Sequence, residues 1–363
     1  MISFLQTIVM CVALLTVANA EAIELHAVPI PAKSPRLLGM SMDEDGFIWL
    51  GSTHRRIFRY DPRTAETEEI PLPFDSSTSQ CICVGRKVYL LGQSYPKLMI
   101  YDRKARSFSE VAYPSAKPDV WYGSEAIEGR YLYLFDRGTV GVIKWDTHTD
   151  TGVAIPYPYK TLLPSGGRYV AADGAVWCIV WDYSRGLYEP VGIARLEVKS
   201  DRFTGFFPFP KDNAVPLPRG DPETTLFYPH TLKGRLVPFD WQAQRWCAAL
   251  DVPEFGRRFG FIGLATIHSG RWYFSLSTYN GTPVGCDGLP YHFCNALLEF
   301  DPRTGRFAFP TLETKDSYYQ VSYTLSSGSH FFATGNNIRE SDGTLNASRA
   351  GEAIFWQTQK PQR

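Results

Sequence analysis

Three of the seven histidines in this 363-residue chain, His54, His230 and His292, follow apolar strand-like runs and enter polar loops. An imidazole in such a place can exchange a proton near neutral pH, which suits it to general acid–base work. Asp136, Asp182 and Asp287 stand at comparable loop-side positions, and Arg55 adds a cation next to His54. If these groups converge, a histidine oriented by a carboxylate is the expected chemistry. The competing reading is a set of surface or hydrogen-bonded loop histidines, and the residues alone leave both open. Tyr183, Tyr188, Tyr279 and Tyr291 lie in the same loops. They offer ring faces for a sugar or peptide, or serve as surface decoration.

Other catalytic signatures are missing from the sequence. There is no serine-nucleophile elbow, phosphate-cradling glycine loop, H-E-x-x-H pair or EF-hand loop. The cysteines show no paired C-x-x-C spacing, so a zinc site is not expected. No catalytic residue and no cofactor is assigned. Cys286 and Cys294 flank one short loop and are the expected disulfide, whereas Cys81 and Cys83 share one side of a strand and read as buried thiols.

Lys plus Arg and Asp plus Glu both total 37, so no net field favours nucleic acid or an anionic membrane. Ile8 to Val17 is apolar and Ala18-Asn19-Ala20 fits a signal-peptidase site. Residues 1–20 are therefore expected to be a signal peptide, leaving no membrane span after its removal and a secreted or periplasmic protein. Cys11 lies within the apolar run without a lipobox before it. Two glycosylation sequons, at Asn280 and Asn346, matter only in a host that glycosylates.

The elements that would carry these loops repeat. An apolar strand pair ends in aspartate, makes a polar turn, and runs into an aromatic, proline-punctuated strand. Phe58-Arg59-Tyr60-Asp61-Pro62-Arg63-Thr64 closes at Ile70-Pro71-Leu72-Pro73, and Glu299-Phe300-Asp301-Pro302-Arg303-Thr304 closes at Phe307-Ala308-Phe309-Pro310. Seven such units fit within residues 21–363, spaced like propeller blades of roughly 40 to 50 residues except where an insertion at Ser277 to Phe293 lengthens the sixth. Asp61, Asp102, Asp146, Asp240 and Asp301 resemble a carboxylate array, yet turn chemistry accounts for each of them. The last unit lacks an outer strand, and His26-Ala27-Val28-Pro29-Ile30-Pro31 copies that strand's pattern. Pairing the two would close the ring and protect two edges.

Asp43-Glu44-Asp45-Gly46-Phe47-Ile48-Trp49-Leu50-Gly51-Ser52, followed by Ile57-Phe58-Arg59-Tyr60-Asp61, resembles the repeat of bacterial two-component-regulator propellers. It is also similar to the repeats of streptogramin (virginiamycin B) lyases, whose outer strand often reads like Ile70-Pro71-Leu72-Pro73. The resemblance implies a seven-bladed, all-β propeller. Lyases of that family use a metal-assisted elimination with a histidine base, but their catalytic set does not map onto this chain, so no residue is carried over.

The expectation is thus an exported propeller recognising an extracytoplasmic ligand, glycan or protein. His54, Arg55, Asp136, Asp182, Tyr183, His230, Tyr279, Asp287 and His292 are the binding candidates. The alternative is a lyase or hydrolase with its site at the channel mouth.

Overall fold

The computed structural model describes residues 23–28, 30, 37–92, 95–159, 161–182, 189–210, 225–230, 234–253, 261–277, 297–312, 319–337 and 353–358. They form seven sheets, the blades of a seven-bladed β-propeller. Strands are lettered a to d outward from the channel.

Blade 1 comprises Leu37–Met42, Ile48–Ser52, Arg56–Asp61 and Glu66–Pro71. Blade 2 comprises Thr78–Val84, Lys87–Gly92, Lys97–Asp102 and Ser107–Ala112. Blade 3 follows with Val120–Gly123, Tyr131–Asp136, Gly141–Asp146 and Thr151–Pro156. Leu162–Val170, Ala175–Asp182, Glu189–Glu197 and Arg202–Pro208 make blade 4. In blade 5, Thr225–His230 is b, Arg235–Asp240 is c, and d comes in two pieces, Arg245–Trp246 and Leu250–Asp251. Residues 211–224 before it lie outside the described residues. Blade 6 contains Phe261–His268, Arg271–Ser277, Leu297–Asp301 and Arg306–Ala308. Blade 7 takes Tyr319–Ser327, His330–Asn337 and Ala353–Gln357 as a to c, and Glu24–Val28 as d.

The N-terminal strand therefore closes the ring. His26, Ala27 and Val28 pair antiparallel with Gln357, Trp356 and Phe355. The hydroxyl of Tyr60 donates to Gln357 Oε1 at 3.0 Å, fastening blade 1 to blade 7. A short segment absent from the sequence expectation, Thr311–Leu312, pairs parallel with Glu24–Leu25 and covers the outer edge of the closing strand.

The hydrophobic core sits in the seams between blades. Successive side chains of a strand point to opposite faces, so in blade 1 Ile48 and Leu50 pack toward blade 7 while Trp49 packs toward blade 2. A strand between two seams is buried on both faces, which is why strands b read as unbroken apolar runs. Outer strands keep one such contact, as Ile70 and Ile155 show among exposed neighbours. Their prolines follow the same logic. Leu72, Tyr157 and Phe209 send their N–H groups inward to Arg55, Val140 and Val191. The preceding Pro71, Pro156 and Pro208 thus occupy outward-facing ladder positions, where no donor is needed and none is offered to a stray strand.

The c–d turns bear out the structural reading of the aspartates. Asp61 Oδ1 accepts the N–H of Arg63, Asp102 Oδ1 those of Lys104 and Ala105, and Asp301 Oδ1 that of Arg303. Each turn then needs a residue in the left-handed region. Ala65, Arg106, Asp150, Asp201 and Gln244 fill it at φ between 50° and 59°, and Gly305 does so at 70°. Two of these residues also latch blades together. Asp150 accepts Tyr89 Oη at 2.8 Å and Lys87 Nζ at 2.6 Å, and Asp201 accepts Lys144 Nζ at 2.8 Å.

In blade 3 the turn aspartate is also clamped from the side. Arg130 reaches Asp146 with Nε at 3.0 Å and Nη2 at 2.5 Å. That guanidinium holds the Asp146 carboxyl at about 2, below the usual aspartate range. A depressed folded pKa stabilises the native state above the unfolded value of about 3.9 and loses that contribution as pH falls toward 2. Arg130→Met is therefore expected to flatten the acid limb of thermal stability between about pH 4 and pH 2. An unchanged limb in scanning calorimetry would contradict this.

Cys81, Cys83, Cys178 and Cys247 are free. Burial pushes the Cys81 thiol well up. Residues 1–20, Cys286 and Cys294 lie outside the described residues. Among the described residues no helix is long and apolar enough to cross a membrane.

Candidate functional site

The a–b and c–d turns share one face of the ring; the b–c and d–a connections share the other. On the second face the b–c connections of blades 4, 6 and 7 run over 183–188, 278–296 and 338–352, against only 53–55 in blade 1. These three long connections lie outside the described residues. They include Tyr183, Tyr279, Asp287 and His292, so these four candidates also lie outside the described residues.

His54 and Arg55 form the tight b–c link of blade 1 and are exposed. Ser52, fully buried, pins that link: its Oγ lies 3.1 Å from His54 O and 2.9 Å from Arg56 O. Arg55 Nε donates to Phe74 O at 3.1 Å, tying the loop to the neighbouring d–a connection. Asp136 ends strand b of blade 3 and is fully buried. Its Oδ1 accepts the N–H groups of Asp119 at 2.8 Å and Gly138 at 3.0 Å, and its Oδ2 accepts Thr139 Oγ1 at 2.5 Å. This carboxylate is committed to folding its own b–c loop and tying it to the d–a connection at Asp119. No hydrogen bond or ion pair among the described residues joins it to His54 or Arg55. Asp182 closes strand b of blade 4, half-buried, opposite Leu162 and Glu189. His230 closes strand b of blade 5 opposite Arg235.

The inner strands hold what the sequence reading missed. Tyr122 of blade 3 and Tyr323 of blade 7 come together with ring centroids 6.5 Å apart at 40°. Blades 3 and 7 stand on nearly opposite sides of the ring, so this pair spans the channel. The two sit at matching heights, Tyr122 opposite Phe135 and Tyr323 opposite Thr334. Above Tyr122, the Arg137 guanidinium lies 4.9 Å from the Trp121 ring, and Trp121 Nε1 bonds Asp119. Beside it, Gln80 acts as a surrogate strand for Gly123: the glycine N–H donates to Oε1 at 2.8 Å and Nε2 donates to its carbonyl at 3.2 Å. Gly39 is required nearby, because a Cβ there would fall 2.8 Å from Ser79 O. The result is a narrow, closely laced inner ring with an aromatic crossing. No repeated motif marks Tyr122 or Tyr323 in the sequence.

On the turn face, a cleft of about 280 Å³ lies between blades 1 and 2, lined by Trp49, Tyr101, Arg59, Arg86, Arg103 and Arg106 among others. Its arginines already face carboxylates: Arg59 and Arg106 meet Glu68, Arg86 meets Asp102, and Arg103 meets Asp43. It is an ion-paired seam. Among the described residues no three His, Cys, Asp or Glu side chains gather as a metal site.

No family model matches the sequence, and no curated protein matches it. Solved structures do share its fold. A catalytically inactive virginiamycin B lyase from Staphylococcus aureus with quinupristin aligns over 93% of this chain and 99% of its own, at 12% identity and a TM-score of 0.67. A streptogramin B lyase aligns over 93% and 97%, at 13% identity and 0.66. The extracellular domain of a protein described as a hybrid two-component system from B. thetaiotaomicron aligns over 92% of this chain and 42% of its own, at 12% identity and 0.59. At these identities the likeness is one of fold.

Proposed function

We propose that this protein is an exported recognition propeller that binds a ring-bearing extracytoplasmic ligand, a glycan or a protein side-chain cluster, on its loop-rich face. The observation that carries this reading is the Tyr122–Tyr323 crossing, which puts an aromatic floor beneath the mouth. Ring faces bind sugars and aromatic groups through dispersion and edge contacts and require no proton transfer. Asp136, the buried acid one residue beyond Tyr122's strand partner Phe135, has its oxygens occupied by backbone and hydroxyl donors of two loops, which favours recognition over acid–base chemistry. The long b–c connections, with Tyr183, Tyr279, Asp287 and His292, would supply the walls and the specificity. His54, Arg55, Asp182 and His230 would add polar contacts around the rim.

Arrays of immobilised oligosaccharides and of peptides, probed with the mature chain, test this directly. Tyr122→Ala and Tyr323→Ala are each expected to weaken the binding found by up to about tenfold, the equivalent of roughly 1.5 kcal/mol of ring contact. Binding that both substitutions leave intact would move the site away from the mouth. Turnover of quinupristin, followed by chromatography, would replace recognition with the lyase reading.

A further inference from the structure

Outer strands of a propeller are edges, and most of the described blades guard theirs with charge or a covering segment. Blade 1 presents Glu66, Glu68 and Glu69, blade 2 Glu110, blade 4 Arg202, blade 6 Arg306, and the closing strand of blade 7 lies under Thr311–Leu312. Charge on an edge strand keeps other strands away. Thr151-Gly152-Val153-Ala154-Ile155-Pro156 in blade 3 is the exception, since it carries no charged residue and its one guard is Pro156 at the strand's end. Only two large hydrophobic residues are exposed among those described, Val153 at 67% and Tyr159 at 46%, and both belong to this strand or its exit.

The backbone of that strand is open to pairing. Tyr157 N–H bonds Val140 O, and the register to strand c runs unbroken from Gly141–Pro156 to Asp146–Thr151. Antiparallel alternation then turns Ile155, Val153 and Thr151 inward and leaves Pro156, Ala154 and Gly152 with outward backbone groups. Gly152 has a local explanation, since a Cβ there would meet the Trp145 ring at 2.8 Å. Nothing in the blade accounts for a bare valine on an uncharged edge.

We propose that this strand pairs with the same strand of a second copy of the chain, joining two third blades into one antiparallel sheet about a twofold axis. The edge is self-complementary. With Ala154 opposite Ala154 of the second copy, each alanine N–H meets the other's carbonyl, and each Gly152 N–H meets a Pro156 carbonyl. The proline has no donor to leave unmet in that register. No like charges confront each other across the axis, because Lys144 on the neighbouring strand is neutralised by Asp201. A charged partner strand would find nothing here to select it, whereas an identical neutral strand meets no penalty.

Sedimentation of the mature protein over rising concentration is expected to show a monomer–dimer equilibrium. Ala154→Pro removes the outward donor without touching the inner ladder, and Val153→Lys sets two cations across the axis. Each is expected to raise the dimer dissociation constant at least about tenfold with the melting temperature retained. Oxidised Ala154→Cys should form a disulfide-linked dimer, and Glu69→Cys, exposed on the blade 1 edge, should not. A wild type that stays monomeric at every concentration overturns the proposal, as does a dimer that Val153→Lys leaves intact. A monomer whose blade 3 edge instead captures an unrelated peptide strand overturns it equally.

Discussion

Deletion of residues 23–30 is expected to abolish the cooperative unfolding transition of the chain, the largest effect of any short truncation. The lost strand buries Leu25 completely and Val28 to 3% exposure, and its removal uncovers Trp356 and Phe355, both fully buried. It also frees two edges at once: the outer side of Ala353–Gln357 and the strand Thr311–Leu312. A propeller has no central core to compensate, because its apolar contacts lie in seams that exist only while the ring is shut. A synthetic peptide covering residues 23–30, added in trans, should restore part of the transition, since the pairing is intermolecular in all but connectivity. The point substitution Leu25→Ala is expected to cost about 3 kcal/mol, the usual toll for emptying a fully buried leucine site. Calorimetry of the truncated chain decides the matter; a melting profile like that of the intact protein would show that the ring does not depend on its first strand.

Arg103→Met should be the most damaging single exchange on the turn face, at about 3 to 5 kcal/mol in urea unfolding. Arg103 leaves blade 2 and inserts into the a–b turn of blade 1, with Nη1 2.8 Å from both Asp43 and Asp45 and Nη2 2.7 Å from Glu44. The three partners are not equivalent. Asp43 is fully shielded, its Oδ1 holding the N–H groups of Asp45 and Phe47 and its Oδ2 the indole N–H of Trp49. Without the guanidinium it becomes a buried, uncompensated charge. Glu44 and Asp45 are 59% and 61% exposed, so Glu44→Ala and Asp45→Ala should each cost under about 1 kcal/mol. The double exchange Arg103→Met with Asp43→Asn should recover much of the loss, because removing both members of a buried pair is far less harmful than stranding one. Simple additivity of the two single effects would refute this coupling.

Strand order, blade number, the turn aspartates, the outward prolines and the borrowed closing strand were all legible in the amino-acid sequence. Each rests on a local rule repeated from blade to blade: alternation toward two seams, a side chain that bonds its own turn, a missing donor at an edge. Repetition averages out the ambiguity of any single copy. The tertiary structure alone decided the rest. That Tyr122 and Tyr323 meet across the channel depends on two blades being brought to opposite sides of one ring, and neither residue differs in type from the seam tyrosines Tyr89 and Tyr133. Asp136 looked as free as any loop acid until the fold wrapped Asp119, Gly138 and Thr139 around it. Arg103, one of several arginines in polar turns, became a clamp only because the packing of blade 2 on blade 1 set it against the carboxylates of the a–b turn. Contacts of this kind join residues with no shared periodicity, and only the closed ring chooses which of them touch.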